Sequence, residues 1–196
     1  MLICVSTEME GALLQAQARV VVTGVGAVNA AYALTRAIEQ ERPDAIIVCG
    51  IGGAYPPAGL KIGDVVCAES ECYGDLGASS AEGFLDMQAL GFPVVAGETP
   101  VYNTLPMRIF PAPWRVPFVT FNTCTGMDVE PRVAGWAVEN MEGAAVAHVG
   151  ALAGIPVGEI RGISNMVGRR DRSSWRVKEA ATAAQEALKE WIKRRV

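Results

Sequence analysis

The sequence predicts an α/β sandwich around a mostly parallel or mixed sheet. Short apolar runs of strand length alternate with segments whose apolar residues recur at helical spacing. Runs such as 45–49, Ala-Ile-Ile-Val-Cys, have no polar face and suit strands covered on both sides. Of the 196 residues, 51% are hydrophobic and 19% charged, which suits a chain with a full buried core and excludes disorder. One domain spanning residues 1–196 is expected.

Residues 2–5 read as the first strand and 8–18 as a short helix with Leu13 and Leu14 on its apolar side. Residues 19–23 form a second strand. After Gly24-Val25-Gly26, the stripe Ala27, Ala30, Ala31, Leu34 and Ile38 marks a helix that Pro43 stops. The third strand, 45–49, runs into a predicted turn, Gly50-Ile51-Gly52-Gly53, and Gly63-Asp64-Val65-Val66-Cys67 begins a fourth. Between Tyr73 and Pro113, glycines, prolines and short apolar pieces alternate without period, which predicts loops over a pocket mouth and one short helix. Strands follow at 116–121 and 137–141, then a helix at 142–153 and a last strand at 156–163. Val177, Ala181, Ala184, Leu188 and Trp191 define a terminal amphipathic helix with Lys and Arg at its end, as the helix dipole favours. The segment 168–175 reads as a lid, with Asp171 or Ser173 capping that helix.

Seventeen basic and 21 acidic side chains give a net charge of -4 and no basic face for a phosphate backbone, so nucleic acid is not an expected partner. The five cysteines are odd in number and several sit in apolar runs. With no CxxC pair and one histidine, His148, a zinc site has little to stand on, and a reducing cytoplasm is the expected setting. The longest uncharged run, 143–158, is too short to span a bilayer, and the amino terminus lacks a basic signal region. A soluble protein with no membrane partner is expected.

Gly24-x-Gly26 between a strand and a helix invites a dinucleotide reading. Asp44, however, precedes its strand, and Asn29 replaces the third glycine, so the glycines are read as a turn that lets a ligand approach the backbone. Glu8 is read as a helix-start acid; Glu10, two residues on, can turn back over the strand ends where α/β ligand sites gather. Glu142 is placed so deep in apolar sequence that it needs donors to offset desolvation, and two vicinal ribose hydroxyls would supply them. Asn165, after Ser164, either caps a turn or contacts a ligand, and Trp175 is either core or a pocket wall. His148 lies off the Glu142 face and is read as structural.

Six segments in order carry a resemblance: Glu8-Met9-Glu10, Gly24-Val25-Gly26, Gly50-Ile51-Gly52-Gly53, Leu60-Lys61-Ile62-Gly63-Asp64, Asn140-Met141-Glu142-Gly143-Ala144 and Arg161-Gly162-Ile163-Ser164-Asn165. Together they resemble the nucleoside phosphorylase and nucleosidase superfamily. The resemblance implies a three-layer α/β sandwich with a central mixed sheet flanked by helices. It also implies a small-molecule nucleoside substrate, a homo-oligomer (dimer or higher) and no cofactor. It assigns Glu10 to the attacking water, Glu142 to the ribose hydroxyls, Met141 to packing under the sugar and Trp175 to the pocket wall. Gly52, Gly53, Ser164 and Phe121 complete the candidate substrate-binding set. Ile51 stands where the family carries a small polar residue.

The departure at Asn165 is informative, because adenine-releasing members of the family carry aspartate there. An amide can accept from purine N7–H with its carbonyl while its NH2 donates to a 6-oxo group, so hypoxanthine fits. With a 6-amino purine one buried polar group is left unpaired, at about 1–3 kcal/mol or roughly one to two decades in rate. Hydrolysis is expected over phosphorolysis, since no Arg or Lys lies between Glu10 and Arg19 and Arg36 and Arg42 belong to an outer helix and its end. Arg108, Arg132, Arg169 and Arg170 are candidates for an acidic substrate tail. The competing readings are an adenine-releasing nucleosidase, a 6-oxopurine nucleoside phosphorylase and a non-catalytic nucleoside-binding module.

Overall fold

The computed structural model describes residues 1–126 and 135–195. Its main sheet begins with β1 (Leu2–Val5), β2 (Arg19–Val22), β3 (Ile46–Ala54) and β4 (Val65–Glu71), and ends with β8 (Arg115–Thr120), β9 (Val138–Asn140) and β10 (Val157–Met166). Strand order is β10-β4-β8-β9-β3-β1-β2, and β10 also pairs with β3. Five strands thus close on themselves, β3-β10-β4-β8-β9, with β1 and β2 extending from β3. The sheet is mixed: β1–β2, β1–β3, β3–β10, β4–β8 and β8–β9 are parallel, whereas β10–β4 and β3–β9 are antiparallel.

Strand alternation divides the core between two helical layers. Leu2, Cys4, Ile46 and Val48 pack with Leu34 of α2 (Ala27–Gln40) and with Ala144 and Ala147 of α4 (Gly143–Ala153). Ile3, Val5, Ile47 and Cys49 face the other way, against Ala184 and Leu188 of α5 (Val177–Lys193). The three-layer arrangement is therefore the one expected. α5 lies hard on β10, and a Cβ at Gly162 would collide with the backbone of Ala180. Four of the five free cysteines are buried, and burial pushes the thiols of Cys4 and Cys67 up to about 12, consistent with small core residues. Among the described residues no helix is long and apolar enough to cross a membrane.

Several expectations need correction. The helix expected over 8–18 is only α1 (Glu8–Gly11). Beyond it, i→i+3 bonds from Leu14 to Gly11 and from Gln17 to Leu14 tighten the chain. Gln185 of α5 takes the Leu13 N–H, leaving Leu13 exposed while Leu14 enters the core. Gly50-Ile51-Gly52-Gly53 is not a turn but the end of β3, and its glycines admit neighbouring side chains rather than bend the chain. β10 runs on to Met166, so Ser164 and Asn165 lie inside the strand, at a register shift against β3. Asp171 accepts from Ser173 and caps a short 3-10 turn, Arg172–Ser174, rather than α5.

The 73–113 region contains a small hairpin, β5 (Gly77–Ser80) and β6 (Gly83–Asp86), the short helix α3 (Met87–Leu90), and β7 (Leu105–Pro106) against β4. Its hairpin edges a cavity with Cys72, Tyr73 and Trp136, and none of the region lines the cavity at the carboxyl ends of β1, β3 and β10.

Candidate active site

The carboxyl ends of β1, β3 and β10 meet the β9–α4 junction around a cavity of about 240 Å³. Ligands of α/β sheets gather at such strand ends because backbone and side-chain groups converge there without blocking the strands. Glu10, Met141, Glu142, Ser164, Asn165, Trp175, Gly52 and Gly53 all line it, from segments far apart in the chain.

Glu10 is only 4% exposed, while Glu8 remains in solvent on the outer side of α1. Thr7 Oγ1 donates to Glu10 Oε2 at 2.8 Å, and Ile51 N donates to Oε1 at 3.1 Å. A Cβ at Gly50 would lie 2.8 Å from Oε1 and 3.1 Å from Arg161 Nη1. The glycine is what lets an acid from α1 and a base from β10 approach the same stretch of β3.

At the β9–α4 junction the helix cap is Asn140, whose Oδ1 accepts from Glu142 N at 2.9 Å and Gly143 N at 2.7 Å. That releases Glu142 from the capping role. Its Oε1 accepts from Gly26 N at 3.0 Å and its Oε2 from Arg161 Nη2 at 3.3 Å. Gly26 has φ 98°, which glycine alone adopts readily, so the 24–26 turn serves to present an N–H to this carboxylate. Part of the donor set expected from a sugar thus comes from the protein. A carboxylate offers about four acceptor positions, leaving Glu142 about two for a ligand.

Arg161 was not singled out from sequence. It is 1% exposed and holds the site together: Nη1 donates to Ile51 O at 2.7 Å, Nε to Glu159 Oε1 at 2.5 Å, and Nη2 to Glu142. The available signal was an acid and a base two apart in an apolar strand, hence on one face.

Behind Arg161, Glu71 and Glu159 are both fully buried and both crowd the face of Gly143, where a Cβ would collide with either carboxyl group. Glu71 accepts from Asn140 Nδ2 at 2.5 Å, Thr120 Oγ1 at 3.1 Å and Cys72 N at 3.1 Å; among the described residues no cation pairs with it and Glu159 Oε2 has no donor. Burial first, then the Glu159 charge, holds the Glu71 carboxyl well above the usual carboxylate range. A proton kept on Glu71 gives the orphaned Glu159 oxygen its donor. The folded state then binds a proton that the unfolded chain releases, so this pair makes stability fall as pH rises above the ordinary carboxylate value. The slope for one proton is about 1.4 kcal/mol per pH unit. Glu71→Gln, which mimics the neutral acid, should be less sensitive to that rise. Urea unfolding of both proteins at about pH 5 and about pH 7 reads the difference; parallel slopes would rule out the shared proton.

On the other face of the sheet end, Ser164 Oγ lies 2.7 Å from Asn165 Oδ1 and 3.2 Å from Gly52 O, and Asn165 Nδ2 donates to Met166 O at 3.2 Å. Among the described residues each end of the amide therefore retains one free position. Arg170 stacks over Trp175, 5.0 Å from the ring. Cys124 and Glu139, neither foreseen, also line the cavity.

Phe121 is not brought to this cavity. Its ring packs edge-on against Trp136, 6.0 Å between centroids, and fills the space over Gly74. Arg108 borders a different cavity beside α4, Arg169 and Arg170 do not line the main one, and Arg132 lies outside the described residues. Arg36 pairs with Glu39 and Arg42 donates to Ala153 O, both away from the site as expected. His148 Nδ1 shares a hydrogen bond with Tyr73 Oη at 3.2 Å, and the two rings pack edge-on.

A cavity at parallel strand ends, into which buried carboxylates and an amide converge, defines a small-molecule enzyme site on an α/β fold. The chain belongs to the phosphorylase superfamily, whose family model matches residues 6–195. It is 36% identical over 177 residues to a futalosine hydrolase of Streptomyces coelicolor, covering 84% of this chain and 74% of the relative. Identity to a futalosine hydrolase of Thermus thermophilus is 32% over 188 residues, covering 85% and 77%. Among solved structures, a 5'-methylthioadenosine/S-adenosylhomocysteine nucleosidase from Neisseria meningitidis, in complex with methylthio-immucillin-A, superposes with a TM-score of 0.81 at 18% identity, over 98% of each chain. That similarity bears on the fold alone.

Proposed function

We propose that the protein hydrolyses the N-glycosidic bond of futalosine, releasing hypoxanthine and leaving dehypoxanthine futalosine, a step of menaquinone formation by the futalosine route. Identity of 32–37% to three futalosine hydrolases over most of the chain carries this reading. As the C1'–N9 bond lengthens, positive charge grows on the ribosyl centre and negative charge on the purine. N7 takes up a solvent proton as the bond breaks, and Asn165 favours the departing base by accepting from that N7–H and donating to the 6-oxo group. Glu10 takes the proton of the water that attacks C1', and Glu142 holds the ribose hydroxyls with its negative charge near the cationic centre. Met141 and Trp175 enclose the sugar. No cofactor takes part.

Site charge favours water over phosphate as the nucleophile. Among the described lining residues, Glu10, Glu139 and Glu142 stand against Arg161, which Glu142 and Glu159 already pair. An incoming phosphate would meet net negative charge. A dimer or higher homo-oligomer in a reducing cytoplasm is the working form.

Incubation with futalosine, inosine and methylthioadenosine, with and without phosphate, followed by chromatography of base and sugar, tests the assignment. Hypoxanthine and a free sugar from futalosine are expected. Adenine release, a ribose 1-phosphate, or binding without turnover would each replace it. Asn165→Asp should raise the rate on methylthioadenosine relative to futalosine about tenfold or more, since a carboxylate accepts from N7–H but has no donor for a 6-oxo group. An unchanged ratio of kcat/KM would remove Asn165 from base selection.

A further inference from the structure

The helix that carries Glu10, α1, is four residues long. A helix so short does not hold its own geometry in water, so the placement of Glu10 has to come from what α1 packs against. Part of that is apolar: Leu14 enters the core shared with Leu188, and a Cβ at Gly11 would lie 3.0 Å from Val5 Cγ2. Apolar contact has no direction and leaves a single turn free to rotate. The directional contact is Gln185 of α5, which is 2% exposed.

Gln185 Oε1 accepts from Leu13 N at 2.8 Å, and its Nε2 donates to Met9 O at 3.1 Å and to Ala181 O at 3.0 Å. Leu13 N–H and Met9 C=O are an i→i−4 pair, the bond by which α1 would continue past Gly11. One side-chain amide, 172 residues from Leu13 in the chain, takes both halves of that bond and so ends the helix. Flipped, the amide would set NH2 against Leu13 N–H and carbonyl against Met9 O, so only one orientation serves. The bond to Ala181 O, one turn back in α5, fixes its rotamer. α5 is in turn seated on β10, where Arg176 N donates to Ser164 O at 2.9 Å and Ala180 backs onto Gly162. Glu10 lies between Met9 and Leu13, the two residues so held, and its carboxyl meets Ile51 N on β3.

We propose that Gln185 is a positioning residue for the reaction: by holding Met9 O and Leu13 N apart, it sets the rotation of α1 that points Glu10 at the attacking water. The assignment rests on the reading of Glu10 as the group that handles that water. Gln185 does not line the cavity, so its effect reaches the chemistry only through α1. Without the amide, two backbone groups lose their partner. Leu13 N then closes on Met9 O, α1 winds on, and Glu10 turns with it.

A double-mutant cycle on the intact protein tests this. Gln185→Met keeps the unbranched shape without the amide. It should lower kcat on futalosine about 10–100-fold, the range for an ångström-scale misplacement of a catalytic group, with calorimetric affinity for hypoxanthine unchanged. In a Glu10→Gln background the same change should cost little further turnover, because the group being positioned no longer acts as a base. A glutamine that only stabilises the fold would lower turnover by the same factor in both backgrounds, and the proposal falls. Wild-type kcat in Gln185→Met, or a loss of hypoxanthine affinity matching the loss of kcat, also overturns it. If Gln185→Met does not fold, Gln185→Asn, whose amide is one methylene short of α1, carries the same cycle, and equal losses again sink the proposal. Hypoxanthine release by the wild type and by Glu10→Gln separates the two readings. Release that depends on Glu10, with equal losses in the cycle, sinks only the role of Gln185. No wild-type release, or unchanged turnover in Glu10→Gln, sinks both.

Discussion

Glu10→Gln is expected to lower kcat by about 10²–10⁴-fold, the usual contribution of a positioned general base, while binding of hypoxanthine changes little. Gln can keep both local contacts: its carbonyl accepts from Ile51 N, and its NH2 can donate to Thr7 Oγ1, which reverses its hydroxyl. The fold should therefore survive, and lost turnover reports lost basicity rather than lost geometry. Gly50 makes the same point from the other side, because a Cβ there would displace Oε1 from the strand. Steady-state kinetics with futalosine, beside calorimetric binding of the free base, checks the split between kcat and affinity. If turnover is unchanged, Glu10 does not handle the water. A parallel loss of base affinity would instead mean that it shapes the pocket.

Segments whose pattern depends on near neighbours were legible in the sequence. The stripe from Ala27 to Ile38 became α2, and the terminal periodicity became α5, because burial of one helical face is written at fixed spacing. The same holds for the apolar runs of β1 and β3. What could not be read is register. Closure of the sheet through the β10–β3 and β10–β4 pairs depends on contacts between distant segments, and it turned the glycines at 50–53 from an expected turn into a strand floor. Register likewise aligned Glu139, Gly53 and Asn165. Phe121 misled because following a strand does not reveal which cavity a ring enters; here Gly74 leaves the space it fills. The buried charges were half-visible, since Glu159 and Arg161 alternate in an apolar run, whereas Glu71 sits past an irregularity between Ala68 and Ser70 that breaks the alternation of β4.

Arg161→Met is expected to destabilise the protein by about 3–5 kcal/mol, because it removes one member of a buried charge network and leaves the others without compensation. Methionine fills much of the stem volume, so a cavity is not the main cost. The cost is electrostatic: Glu159 loses its Nε partner at 2.5 Å, Glu142 loses its bond from Nη2, and Ile51 O loses the donor Nη1. Asn140 Oδ1, which also accepts from Glu142 N and Gly143 N, loses Nη2 as a further donor. The acids can respond only by taking up protons, so the deficit should grow as pH rises above the carboxylate range. Adding Glu159→Gln to Arg161→Met removes the most buried of the stranded charges and should recover part of the loss. Recovery in the double variant identifies charge balance as the cause, because a packing defect would add to the second change rather than be relieved by it. Urea unfolding of the two single variants and the double variant measures the cycle. A loss below about 1 kcal/mol in Arg161→Met would mean that the acids are solvated or protonated without it, and the site would not depend on this arginine for its shape.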